Sequence, residues 1–514
     1  MKFNIKNIAV CIAAASTVVA CDLDTSPTTD LDAGSVFKDL KNTEYAFHGI
    51  WNYIINSGYH QASPGLGSIF LSDDFSGSDA VWLSSYGDFS DSYNLEIGYG
   101  RGVYGELLWD IAYTGINNCN AILANIDNVD GDDTQRAVLK GQTYATRGYL
   151  YMLLASHYSF AIDKDPNAVC VPIYLKPSTA SVALTGEPAS NVTEVYNQAL
   201  SDLRLATENI PEDYANTATV DKYKPDYATA CGLLARTALY AREWQEAYDN
   251  ASTALNKNSY LMTEEEYKAG FSDCSNKEWI WGSTQTISDN SAGKYLFAFK
   301  DCVTAGGYSN LGADPYFVDL YEDGDYRADL FFQGVAAGQG ANAGPKIINK
   351  KFVYRDPVNR LADIVLMRTS EMMLIKAEAA TYLPGKEQEA QQLLFDLRKA
   401  RMKQGHQPAA VTATGDELRQ EIWKERRKEL WGEGFALTDI IRNQQSVERK
   451  NCYVDIVDDE GNSQRVNIGH DALKFPDGSN FVPNSKYYLF RIEETEELQN
   501  ANLYSKYPKL DIYR

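Results

Sequence analysis

The 514-residue chain has eight cysteines but no C-x-x-C pair, five scattered histidines, and no apolar run long enough to span a bilayer. The first two absences argue against zinc clusters and a disulfide scaffold. The third leaves no transmembrane helix, which needs about eighteen or more consecutive apolar residues. There is no G-x-S-x-G elbow, H-E-x-x-H helix or phosphate loop, so the common signatures of nucleophilic, zinc-hydrolytic and nucleotide-binding sites are missing. Positive charge is scarce too. With 48 Lys and Arg against 70 Asp and Glu the formal charge is −22, and so acidic a surface repels phosphate backbones, which disfavours nucleic acid as a partner. No cofactor motif is present, and the 44% hydrophobic content is enough for a large buried core.

What is present begins at the N-terminus. Lys2 and Lys6 precede a short apolar run, Ile8 to Val19, the order of a removable export signal over residues 1–20. Ala20 then stands before Cys21, after Val18 and Val19. This resembles a bacterial lipobox, in which the cysteine is acylated and becomes the new N-terminus; an ordinary signal peptide with an incidental cysteine is the plainer alternative. On the lipobox reading, multiple acyl chains on Cys21 give stable anchoring. Residues 21–35 are then a tether and residues 36–514 one folded domain. Of the remaining cysteines, Cys119, Cys170, Cys231, Cys274, Cys302 and Cys452, one or two pairs are open to bridging in an exported protein, with no pairing readable from spacing.

A repeat lies under unequal spacing. Ala199, Leu203 and Ala206 recur in kind as Ala247, Ala251 and Ala254, and again as Ala390, Leu394 and Leu397. Offsets of four and seven put small or apolar side chains on one helical stripe, which lets a second helix pack closely. Helices through Ala228 to Ala241 and through Met367 to Tyr382 precede the second and third instances, and a helix over Asp133 to Phe160 is the expected partner of the first. The pattern resembles the tetratricopeptide repeat, although any amphipathic helix shares the spacing. The expected fold is mainly α: a tetratricopeptide-like αα superhelix with helix pairs over about 134–257 and 368–445. Large irregular, partly β insertions over about 59–104, 258–366 and the C-terminal 444–514 form the ligand-binding face.

Three stretches carry a family resemblance: "LMRTSEMMLIKAEAA" from Leu366, "IWKERRKELWGEGFALTDIIR" from Ile422 and "FRIEETEELQNANL" from Phe490. In this order they resemble hallmark segments of the SusD/RagB family. The match departs from the pattern where Arg491, Ile492 and Glu493 replace the usual Ile-Pro before the last acidic run. The resemblance implies a lipid-anchored protein, exposed on the outer membrane of a Bacteroidota cell, that captures a nutrient without catalysis and passes it to a SusC-like TonB-dependent transporter. The ligand is expected to be a glycan, with peptide capture by the same fold as the alternative and a surface glycoside hydrolase or a protein-binding scaffold further behind.

The charged residues tempt an enzymatic reading. Arg368, Glu371 and Glu378, with Glu425, Arg426, Arg427, Glu429 and Glu433, sit on otherwise apolar helices, and a carboxylate beside an arginine becomes a weaker general acid. They read as ion pairs between helices, and no catalytic residue is assigned. Asp73 and Asp74 are adjacent carboxylates in an aromatic-rich region, but sequence neighbours do not flank a sugar ring as a two-carboxylate mechanism requires. Asp323, Asp325 and Asp329 suggest calcium, yet the twelve-residue loop pattern is absent, and no metal is assigned. Sugar capture needs flat aromatic faces with amides at the rim. Trp82, Tyr86, Tyr93 and Asn94 in the first insertion, and Trp281 and Tyr308 in the second, are the expected ligand contacts. Each aromatic is equally readable as a core plug, and Trp279 is read as one.

Overall fold

Helix signals in the sequence translate directly into capped helices. The computed structural model describes residues 33–58, 64–83, 87–98, 102–179, 185–288, 290–339, 344–457 and 461–510. The export signal, Cys21 and Tyr86 lie outside the described residues. Helix α1 (Leu40–Asn56) starts where the Asp39 carboxylate accepts the Asn42 N–H at 2.9 Å, and buries Phe47, Ile50, Trp51 and Ile54. Helix α2 (Gly65–Ser76) and helix α3 (Val103–Asn125) follow. Helix α4 (Asp133–Tyr158) is capped by Asp132, and α5 (Val192–Asn209) by a reciprocal box between Asn191 and Glu194. Helices α6 (Tyr227–Tyr240) and α7 (Trp244–Lys257) are joined by a tight turn with Arg242 at φ 67°. Later come α8 (Ser291–Lys300), α9 (Thr369–Ala380), α10 (Glu387–Ala400), α11 (Gly415–Glu429), α12 (Ala436–Arg442) and α13 (Glu494–Gln499).

The protein is thus mainly α, and the repeat stripes are its packing seams. Each helix packs on its successor from α4 through α7, and α9 then packs directly on α7, followed by α10 and α11. The chain between α7 and α9 therefore leaves the stack and returns to it. Ala199, Leu203, Ala206, Ala247, Ala251, Ala254, Ala390, Leu394 and Leu397 are all buried, as the shared stripe requires.

The expectation of non-helical insertions needs correction in all three. Helix α2 lies inside the first insertion with every residue but Phe70 buried, so it has no polar face and hence no amphipathic period to read. Helix α8 lies inside the second and α13 inside the C-terminal one. The strands are short. Strands β1 (Ala80–Trp82), β5 (Leu311–Ala313), β6 (Phe331–Gly334) and β7 (Lys346–Asn349) form one antiparallel sheet in the order β1-β5-β7-β6, which joins the first insertion to the second. Strands β2 (Val169–Pro172) and β3 (Ala189–Asn191) pair, as do β4 (Trp279–Ser283) with β8 (Ile364–Arg368) and β9 (Tyr453–Val457) with β10 (Ser463–Asn467).

A buried ion network ties the second insertion to the helices. The Glu429 carboxylate of α11 meets Arg327, Arg368 and Arg401, each at 2.8 Å. Glu425 meets Arg327 at 2.6 Å and Arg398 at 2.8 Å, while Glu433 meets Lys351 at 2.7 Å and Arg368 at 2.8 Å. Glu278, just before β4, closes the network on Arg368 and Arg401. The charged residues of α9 and α11 are ion-paired as the sequence predicts, though several partners lie elsewhere: Glu371 with Arg236 of α6, Glu378 with Arg442 of α12, and Arg427 with Asp79. All six cysteines among the described residues are free thiols, five of them buried.

Candidate ligand-binding face

Pairing of β1 with β5 brings the two predicted aromatic insertions to one sheet edge. The Leu83 N–H, next to Trp82, donates to the Asn310 carbonyl at 2.9 Å, two residues beyond Tyr308. Trp82 is half-buried, and its indole Nε1–H donates to the Asp88 carbonyl at 2.9 Å, which fixes the ring.

Tyr308 is 47% exposed and stacks on Phe299 with centroids 4.8 Å apart at 15°. Phe299 meets Phe89 edge-on at 5.1 Å, and Phe89 stacks on Tyr104 at 4.8 Å. Tyr308 is therefore the solvent end of an aromatic column rooted in the core, its ring supported by Phe299. Its backbone is held as firmly: the Tyr308 and Ser309 N–H groups donate to the Ala298 carbonyl, and the Gln339 amide donates to the Tyr308 carbonyl at 2.7 Å. Beside it the Asn310 side-chain oxygen is buried and accepts no hydrogen bond among the described residues, an unmet acceptor of a kind native interiors seldom keep.

Two predicted contacts belong to the core instead. Trp281 is fully buried, packed edge-on against Trp51 at 5.2 Å and Tyr149 at 5.0 Å, with its Nε1–H on the Tyr223 carbonyl. It has no face to offer, because β4 is covered on both sides and all five of its residues are buried. Tyr93 is also enclosed: it stacks on His470 at 5.7 Å, lies under the Arg449 guanidinium, and bonds through its hydroxyl to His470 Nδ1. Asn94 is half-buried at the end of the same short turn. Trp279, read as core, is buried. The Phe299 and Phe89 supports and Asn310 were missed, since nothing in the sequence links a phenylalanine to a tyrosine nine residues on across a two-glycine turn.

Of the carboxylates that suggested chemistry or metal binding, Asp73, Asp74, Asp325 and Asp329 are engaged within the fold, and Asp323 is exposed. Asp73 meets His157 at 3.0 Å, both buried, and Asp74 accepts the Gly434 N–H at 3.0 Å. Burial raises both carboxyl pKa values, with Asp74 held by Lys300 and His157 by Asp73. Asp325 caps a turn and pairs with Arg327, and Asp329 pairs with Lys268 and Lys403 at 2.8 Å each. Among the described residues no cluster of three or more potential metal ligands occurs.

Comparison with known proteins follows the same lines. A family model described as the SusD family matches residues 338–509, and one described as starch-binding associating with outer membrane matches residues 23–239. A SusD-like carbohydrate binding protein of Bacteroides vulgatus is 44% identical, with 93% of this chain and all of that chain covered and a TM-score of 0.84. A SusD-like protein of Formosa agariphila is 24% identical over 391 residues, 66% of this chain and 73% of its own. A laminarin binding SusD-like protein shares the fold at a TM-score of 0.63 and 20% identity, over 79% of this chain and 92% of that one.

Proposed function

The chain belongs to the SusD family, and from that premise we propose that it captures an oligo- or polysaccharide at the cell surface without chemical conversion, on the face built by Tyr308 and Trp82. The observation that carries this reading is the exposed Tyr308 ring, supported from behind by Phe299. A pyranose has an apolar C–H face, and a rigid ring already desolvated on its inner side accepts that face at little ordering cost. Relatives described as carbohydrate binding and as laminarin binding support the ligand class. Asp73 and Asp74 are buried and hydrogen-bonded, and Asp325 and Asp329 are ion-paired, which favours binding over hydrolysis. Anchoring through a lipid on Cys21 and delivery to a SusC-like TonB-dependent transporter complete the proposal, in line with the outer-membrane association in one family description.

The test is affinity electrophoresis of the protein from Asp22 onward in gels containing laminarin, starch, xylan or mannan. One polysaccharide is expected to retard it, and Tyr308→Ala or Trp82→Ala to weaken that retardation about tenfold, the effect of losing one stacking platform. Binding to peptides with no glycan retarded, or glycan binding untouched by both substitutions, overturns the reading.

A further inference from the structure

A second cleft, sharing no residue with the Tyr308 face, lies where three distant segments meet: helix α3, the loop after β2, and helix α13. Its volume is about 390 Å³, within the range of roughly 300–1,000 Å³ usual for small-molecule sites. Trp109 forms the floor, with Tyr113 at 4.5 Å and Tyr174 edge-on to Tyr113 at 5.8 Å. The phenol groups are already spent on the protein. Tyr113 Oη donates to the Pro172 carbonyl at 2.8 Å, and Tyr174 Oη accepts the Glu187 N–H at 3.1 Å.

The walls are built as firmly. Asn120 Nδ2 donates to the Tyr174 and Lys176 carbonyls, Tyr151 Oη bridges the Tyr174 backbone at 2.8 Å, and Asn117 Oδ1 accepts the Ser178 N–H at 2.7 Å. Asn500 Nδ2 joins Glu496 to the Glu187 carbonyl and so seats α13. Against this bonded frame, the side chains of Asn118, Gln499 and Lys176 line the opening and make no hydrogen bond among the described residues. Glu496 is half-buried with one oxygen engaged by Asn500. Free primary amides each offer a donor and an acceptor, the match for a pair of sugar hydroxyls. One carboxylate and one ammonium balance, so nothing in the cleft selects a charged ligand.

The geometry points to a second saccharide-binding site at this cleft, one that takes a neutral pyranose unit of the glycan held at Tyr308. It rests on the glycan reading given above. Two sites on one chain make binding of a polymer bivalent, so long chains gain avidity over short ones.

The experiment is isothermal titration with a short oligosaccharide cut from whichever of laminarin, starch, xylan or mannan retards the protein. Wild type is expected to bind two per chain. Tyr308→Ala is expected to leave one, and the double variant Asn118→Ala with Gln499→Ala, which breaks no internal bond, also to leave one, with affinity at the cleft down about tenfold or more. If Tyr308→Ala abolishes all heat while the double variant behaves as wild type, the cleft is not a site and the glycan reading stands. If no glycan binds the wild type at all, both fall together, which is a different result from the first.

Discussion

At the residue scale the deciding quantity is exposure, which aromatic identity does not encode. Trp281 and Tyr308 both sit in the second insertion near glycines or serines, yet one is fully buried and the other is 47% exposed. Their truncations should part accordingly. Trp281→Ala removes a ring packed against Trp51 and Tyr149 and should lower unfolding free energy by about 3–5 kcal/mol, while glycan affinity of the folded fraction is unchanged. Urea denaturation and titration on the same sample measure both; a binding loss without a stability loss would return Trp281 to the site. Charge at this scale was easier to read. Glu429 directly follows Arg426, Arg427 and Lys428 in the sequence, and an unpaired carboxylate would be too costly to keep buried, so an ion pair was foreseeable. What could not be foreseen was convergence of three guanidinium groups from Arg327, Arg368 and Arg401 on it. Glu429→Ala removes the carboxylate the three share and leaves a buried excess of positive charge, even though Glu425, Glu433 and Glu278 still pair with them, and should cost about 3–5 kcal/mol by urea denaturation; a cost below 1 kcal/mol would mean water replaces the carboxylate.

Elements divide by whether they keep a polar face. The α5, α7 and α10 stripes were legible because each helix has one buried side and one wet side, so small and apolar residues recur at helical offsets. Helix α2 was not legible, because burial all round erases the period. Helices α1 and α3 match no repeat in the sequence although α1 buries one clear face, because the glycine-rich loop they flank separates them along the chain. Close packing also sets the sign of a glycine substitution. Gly49 on α1 is exposed, and a Cβ there would meet nothing within 4 Å. Gly148 on α4 faces α5, where a Cβ would lie 2.9 Å from the Ala199 carbonyl oxygen and 2.9 Å from Leu203 Cγ. Gly49→Ala should stabilise by about 0.5–1 kcal/mol through helix propensity. Gly148→Ala makes the same propensity gain but must push α5 away, and should destabilise by about 1–3 kcal/mol. Paired melts of the two variants check this; equal signs would mean that α4 and α5 are not held at this separation.

For the whole molecule, the proposed ligand face and the helical stack are one mechanical unit because their joint is ionic and buried. Arg327, Lys351 and Glu278 come from the insertion, and Glu425, Glu429 and Glu433 from the segment of α11 and its C-terminal turn. Burial alone would raise these three carboxyl pKa values, yet the surrounding cations outweigh it: Arg401, Arg368 and Arg327 hold Glu429 well below the usual range, Lys428, Arg327 and Arg398 do so for Glu425, and Arg368 and Lys351 lower Glu433. A carboxylate more acidic folded than unfolded adds stability that is complete above its unfolded pKa, about 4.5, and is lost as pH falls from there toward the folded value. Stability should therefore hold down to about pH 5 and fall steeply below it, with a slope reflecting several protons taken up on unfolding. Because those protons break the joint itself, near-UV circular dichroism from the packed aromatics and glycan binding at Tyr308 should be lost together in one acid transition. Loss of glycan binding more than about one pH unit above the loss of the aromatic signal would show that the face detaches first, and that the ion network holds the helices alone.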